Sequence, residues 1–275
     1  TEKIVSALCG KVRYWVTINE PLVYVYHAYV LGAWPPQQKS LPQAFRVIKQ
    51  LESCHIRAYE EIHSIYEEQK LKPPKVSIAK NLRYFTACKP GLKNRLAVHL
   101  RNKIFNFEFL EKLKRHNAID FIGINYYTRD LAAARGWGIK NLLLDNCGDE
   151  HGLPRNSLGW EIYPEGLYNL LLALKKFGLP GFILENGICT GDDSLRWDFI
   201  RRHLVCVHRA IEQGASVLGY LYWSLLDNYE WDKGFGPRFG LIEMDYSTFG
   251  RTVRESAKQF SKVCKTNKLE DVSDK

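Results

Sequence analysis

The chain has 275 residues, 45% of them hydrophobic and 25% charged, a balance that excludes a disordered chain, a collagen-like rod and a fibrous coiled coil. Its longest apolar runs, Leu170 to Leu174 and Leu218 to Trp223, fall far short of the roughly 20 residues a membrane span needs. The net charge is +9, but the basic residues are scattered in pairs such as Lys175-Lys176 and Arg201-Arg202, which reads as a solvated surface, with nucleic-acid binding the lesser reading.

Taken in order, Val12 to Ile18 is a β-branched and aromatic run that predicts a buried strand ending at Asn19-Glu20-Pro21. Trp34-Pro35-Pro36 breaks the next segment. Leu41 to Glu68 carries apolar residues at helical spacing. Val76 to Ala79 predicts a strand, Asn102 to His116 a helix and Ile119 to Tyr127 a second buried strand. Arg129 to Gly159, rich in Gly and Asn, reads as a long loop. Pro164 to Phe177 predicts a helix with proline at its favoured first position. Gly181 to Leu184 predicts a strand, Leu195 to Gln213 a helix, Ser216 to Trp223 a strand and Arg254 to Lys265 a last helix, with a frayed tail over 266–275.

Strand and helix thus alternate about five times, and the strands look apolar on both faces. That pattern predicts an α/β fold, one domain over residues 1–275, with a parallel sheet and crossover helices. A doubly wound sheet and a (β/α)8 barrel both fit. Polar and aromatic residues collect just after the strands, at Asn19-Glu20, Asn125-Tyr126-Tyr127, Glu185-Asn186 and Trp223-Ser224. That face carries the active site of a barrel. No G-x-G-x-x-G follows a strand, so no dinucleotide or other cofactor is expected.

The seven cysteines are widely spaced and form no C-x-x-C pair. They suggest neither a zinc site nor a disulfide framework, and they point to a reducing, cytoplasmic setting with no bound metal. The chain opens on Thr1 and its only methionine is Met244, so a signal ahead of it stays open.

Glu20 and Glu185 are carboxylates at strand ends, far apart in sequence. Either alone reads first as a surface or helix-terminal carboxylate. Together, each beside an asparagine, they suit glycoside hydrolysis, in which one carboxyl protonates the leaving oxygen and the other attacks or activates water.

Six segments then resemble one family in its own order. Thr17-Ile18-Asn19-Glu20-Pro21 is similar to the T-x-N-E-P signature of glycoside hydrolase family 1, the β-glucosidase family, and Leu184-Glu185-Asn186-Gly187 to its T-E-N-G motif with Leu184 in place of Thr. DFIGINYYT from Asp120, GWEIYPEGL from Gly159, YWSLLDNYEW from Tyr222 and RFGL from Arg238, with Arg251-Thr252, complete the resemblance. It implies a retaining β-glycosidase on a (β/α)8 TIM barrel, with Glu20 as acid/base and Glu185 as nucleophile, the first protonated and the second ionised near neutral pH.

It further implies that Asn19 bonds the sugar 2-hydroxyl and that Tyr127 donates to Glu185. Glu230 and Trp231 would hold outer hydroxyls, Trp223 would lie under the ring and Phe239 would line the pocket. On spacing alone Tyr127 reads equally as a core aromatic, and Trp223 reads first as one. Glu230 argues for an unphosphorylated sugar, because a carboxylate there repels a sugar phosphate. The ligand expected is a small β-glycoside or oligosaccharide.

In the family the acid/base ends the fourth barrel strand, whereas here it is residue 20. Three βα units do not fit ahead of it. The expectation is therefore a partial barrel of about five of the eight βα units, lacking the family's Gln after strand one and His-Trp pair after strand three. Little or no activity is expected of this chain without an N-terminal half-barrel partner. The alternatives are a non-catalytic carbohydrate-binding relative and a degenerate remnant. Cys88 to His116 also lacks the family's G-x-Y-P element, and Cys189 after the second motif has no counterpart there.

Overall fold

The computed structural model describes residues 1–147 and 152–269. Five strands form one parallel sheet: β1 (Tyr14–Asn19), β2 (Lys75–Asn81), β4 (Ile122–Asn125), β6 (Gly181–Asn186) and β7 (Val217–Tyr222), hydrogen-bonded in that order. The order follows the chain, as in consecutive staves of a barrel. Two short strands, β3 (Tyr84–Ala87) and β5 (Arg129–Ala132), pair in parallel beyond the ends of β2 and β4. β8 (Ile242–Met244) and β9 (Arg251–Val253) form a hairpin near the C-terminus.

The helices cover one face of the sheet. They are α1 (Glu2–Leu8), α2 (Pro21–Val25), α3 (Leu41–Glu68), α4 (Leu92–Arg101), α5 (Glu108–Arg115), α6 (Ile139–Leu144), α7 (Pro164–Leu174), α8 (Asp193–Glu212) and α9 (Glu255–Thr266). α3 starts where Ser40 accepts a hydrogen bond from the Gln43 amide and a proline occupies the first turn. α8 starts where the Asp192 carboxylate accepts from the amides of Ser194 and Leu195.

The main core lies between sheet and helices. Ile78, Ile122, Ile124 and Ile183 from the strands meet Leu110 and Leu113 of α5, Leu167 and Leu171 of α7 and Ala210 of α8. Each fully buried aliphatic side chain there contributes about 1.5–3 kcal/mol. The opposite face is less covered. Tyr14 reaches Phe121 and Phe182 edge-on, while Val16, Leu218 and Leu221 of the two outermost strands are 42–49% exposed.

Three expectations need correction. Arg129 to Gly159 is not one loop: within its described part, β5 pairs with β3 and α6 follows. Residues 148–151 of that segment, like 270–275 of the tail, lie outside the described residues. The predicted helix over Asn102 to His116 begins earlier, with α4, and passes through a π-helical stretch, Asn102–Phe107. Finally, Cys88 and Cys147 form a disulfide across 59 residues. The β3–β5 pairing and the bridge between Ala132 and Asn146 fold the two cysteines onto each other, which sequence spacing does not reveal. Cysteine usage therefore does not argue for a reducing compartment. Among the described residues no helix is long and apolar enough to cross a membrane.

Candidate active site

The C-terminal ends of β1, β4, β6 and β7 converge. Glu20 follows β1 directly and has left-handed backbone angles, φ 48° and ψ 55°, uncommon for a residue with a side chain. Its amide donates to Ala79 O at 2.8 Å, which anchors the turn to β2. Pro21 then starts α2 and turns the chain away from the sheet.

Two side-chain amides hold the Glu20 carboxylate. Asn81 Nδ2, at the end of β2, donates to Oε1 at 3.1 Å, and Asn125 Nδ2, at the end of β4, donates to the same oxygen at 3.0 Å. Asn125 also donates to Asn19 Oδ1 at 3.1 Å, and it faces Glu185 across the β4–β6 ladder, where it favours the ionised carboxylate. Asn81 and Asn125 were not singled out from sequence as site residues, although Asn125 stands in a strand-end cluster that the sequence marks.

Glu185 lies on β6, next to a shift in register against β4. Tyr127 donates its hydroxyl to Glu185 Oε2 at 2.7 Å. Burial and the nearby charge of Glu20 push the Glu185 carboxyl up from 4.5 to about 7, against the lowering effect of Tyr127 and Asn125. Burial and the Glu20 charge thus oppose the ionised Glu185 that the resemblance implies, while Tyr127 and Asn125 favour it.

Asn186 ties the strand ends together. Its Nδ2 donates to Tyr126 O at 2.7 Å, its Oδ1 accepts from Tyr220 at 2.7 Å and its carbonyl accepts from the Trp223 amide at 2.9 Å. Gly187 is required at this corner, because a Cβ there would stand 1.8 Å from Trp223 O. Leu184, where the motif has Thr, lies against Gly123, whose missing side chain makes room for it.

The loop after β7 carries the remaining candidates. The Trp223–Ser224 peptide is cis. The Trp223 side chain bonds the Glu230 carboxylate, whose pKa burial raises. Phe239 is buried and meets Tyr127 and Trp160 edge-on or tilted, at 6.2 and 6.3 Å between ring centres. Trp160 is a third aromatic of this wall and was not picked out in its GWEIYPEGL segment. Trp231 stands 72% exposed on the short 3-10 turn Trp231–Lys233.

Asp227 fixes this loop from below. Its side chain is inaccessible and pairs with Arg254 at 3.1 Å and Arg238 at 3.3 Å, while accepting from the Gly240 amide at 2.8 Å. The thiol of Cys189 is buried and accepts from the Arg238 amide, which gives this residue a place in the same support.

Lys80, one residue before Asn81, is wholly buried. Its Nζ donates to Asn81 O at 2.6 Å and lies 4.3 Å from the centre of the Phe105 ring, and desolvation lowers its pKa to about 7.

With this geometry in hand, comparison with known proteins is informative. The family model described as Glycosyl hydrolase family 1 matches residues 1–115 and 91–269. The chain belongs to glycosyl hydrolase family 1. It is 30% identical to the β-glucosidase A of Thermotoga maritima over 95% of its own length and 65% of that protein. It is 32% identical to the chloroplastic galactolipid galactosyltransferase SFR2 of Arabidopsis thaliana, over 98% of this chain and 43% of the relative.

Among solved structures, a β-glycosidase from Pyrococcus horikoshii superposes with a TM-score of 0.87 at 36% identity, over 98% of this chain and 64% of that one. The chain spans about half the length of the curated relatives it matches. Its fold is accordingly that of a partial family 1 barrel, with β1, β2, β4, β6 and β7 as staves.

Proposed function

We propose that the site cleaves β-glycosides of unphosphorylated sugars with retention of configuration. The observation that carries this reading is that Asn125, which bonds Glu20, is the register partner of Glu185, with Tyr127 bonded to Glu185 and the Glu20 charge felt there. Retaining chemistry needs two carboxyl groups roughly 5–5.5 Å apart on opposite sides of the scissile bond.

Glu185, once ionised, attacks the anomeric carbon as Glu20 protonates the departing oxygen. This forms a glycosyl-enzyme ester and releases the aglycone. Glu20 then takes a proton from water, whose oxygen displaces Glu185 and returns it to the carboxylate. Asn19 serves the 2-hydroxyl, where binding strengthens toward the transition state. Trp223 underlies the ring, Glu230 and Trp231 take outer hydroxyls, and Phe239 backs Tyr127. The glycosyl-enzyme can also pass its sugar to another hydroxyl, and the likeness to a galactosyltransferase supports transfer as a second outcome of the same chemistry.

The sheet has two outer edges, on β1 and β7, with exposed apolar side chains beside them. In a closed barrel three further βα units would cover these edges and complete the sugar site, whether on the same polypeptide or on a second chain. Residues 1–275 alone are expected to turn over slowly, and their activity is expected to rise when that half is supplied.

The test is covalent trapping. The protein, alone and with a family 1 N-terminal half, is incubated with 2,4-dinitrophenyl 2-deoxy-2-fluoro-β-D-glucoside and digested. One adduct on the peptide holding Glu185, absent from E185Q, is expected. An adduct on another residue, or aryl glucoside turnover that survives E185Q, overturns the assignment.

A further inference from the structure

A cavity of about 330 Å³ lies on the helix-covered side of the sheet, bounded by the first half of α3, the π-helical turn Tyr26–Val30, the α4–α5 stretch and α6. That volume falls at the lower end of the range typical of small-molecule sites. Its interior is apolar, built from Val25, Ala44, Ile48, Phe85, Phe105 and Phe109. Leu41 and Phe45 of α3, and Ile139 and Leu144 of α6, line it as well and are 36–55% exposed. Four large exposed apolar side chains on two elements around one opening form a greasy mouth, a feature that marks a binding surface.

The charges on its lining do not balance. Lys112 pairs with Glu52 and Glu108, and Arg83 pairs with Asp130. Lys49, Lys140 and Arg101 also line the cavity, and none has an ion-pair partner among the described residues. Arg101 is only 4% exposed; its guanidinium donates to the carbonyls of Leu142, Ala133 and Asp145 and to the side chain of Asn146, and the Asp130 and Asp145 carboxylates act on it through space. The lining holds five cations, Lys49, Arg83, Arg101, Lys112 and Lys140, against three carboxylates, Glu52, Glu108 and Asp130. An apolar chamber with surplus positive charge complements a molecule with a hydrocarbon tail and one negative head.

We propose that this cavity binds a medium-chain monocarboxylate, an anionic fatty acid, at a site separate from the Glu20–Glu185 cleft. The tail occupies the apolar interior, and the surplus cations select the carboxylate. This proposal does not rest on the glycosidase reading and needs no turnover to test.

The experiment is calorimetric titration of the 275-residue chain with decanoate and, separately, with decan-1-ol. One saturable site is expected, with decanoate bound about tenfold more tightly than the alcohol. Lys49 and Lys140 are exposed, so the double charge reversal K49E/K140E leaves the fold intact, as circular dichroism checks. It is expected to weaken decanoate about five- to tenfold and to leave the alcohol unchanged. Photolabelling with a diazirine analogue of decanoate should mark peptides within 41–49 or 139–144. Absence of saturable binding, equal affinity for acid and alcohol, indifference to the charge reversal, or labelling of the carboxylate cleft would each overturn the proposal.

Discussion

Tyr127 and Glu185 are joined by a 2.7 Å hydrogen bond in which the phenol donates. The bond stabilises the ionised carboxylate. Without it, desolvation and the Glu20 charge act with less opposition. In Tyr127→Phe the Glu185 carboxyl should therefore titrate about 1–2 pH units higher, the worth of one hydrogen bond to a charged group. Carbon-13 NMR of labelled glutamate carboxyls follows this directly, and an unmoved titration would remove Tyr127 from the role.

Stability should depend on pH through the same carboxyl. The folded value, about 7, lies above the ordinary 4.5, so the folded state holds this proton more tightly than the unfolded chain does. The resulting stabilisation is fully present below about pH 4.5 and is lost as pH rises through about 7. Glu185→Gln abolishes the penalty of ionisation. The variant should exceed the parent by about 2–3 kcal/mol at pH 8 and differ little from it at pH 4, measured by urea unfolding at each pH.

Gly187→Ala should loosen the corner between β6 and β7. The added methyl meets Trp223 O, a backbone atom that cannot swing away as a side chain would. A cost of about 1–3 kcal/mol is expected, together with a changed near-ultraviolet circular dichroism signal from the displaced tryptophan.

Asp227→Ala should be among the most damaging single changes. It leaves Arg238 without its carboxylate and Arg254 with only the more exposed Glu243, 3.9 Å away, and it strips the Gly240 amide of its acceptor. Breaking a buried ion pair from one side costs about 3–5 kcal/mol. Chemical denaturation checks the magnitude, and faster proteolysis within 224–240 would show that the loop is the part released.

Much of this architecture was legible in the residues, for physical reasons that differ by element. α3 was read at its full extent because a long amphipathic stripe runs from a serine cap and a proline. The strands were read because each is flanked on its helix side by aliphatic packing, which leaves continuous apolar runs. β3 and β5 were missed: each is four residues long, and their stability comes from pairing with each other, a contact between distant segments. The same holds for the Cys88–Cys147 link.

At the site, Glu20 and Glu185 were marked by their strand-end positions and motifs. Asn81 was hidden because an amide supporting a carboxylate looks like any polar strand terminus.

The three contacts of Asn186 join β4, β6 and β7 just beyond the sheet's own ladder. A clasp of this kind transmits position. Any change that tilts one of these strands carries the neighbouring carboxylate and the indole along with it, so the spacing of these groups is inherited from the backbone rather than set by each side chain alone. Sequence drift elsewhere on the barrel wall can then leave the cleft's dimensions intact, provided this one amide is kept.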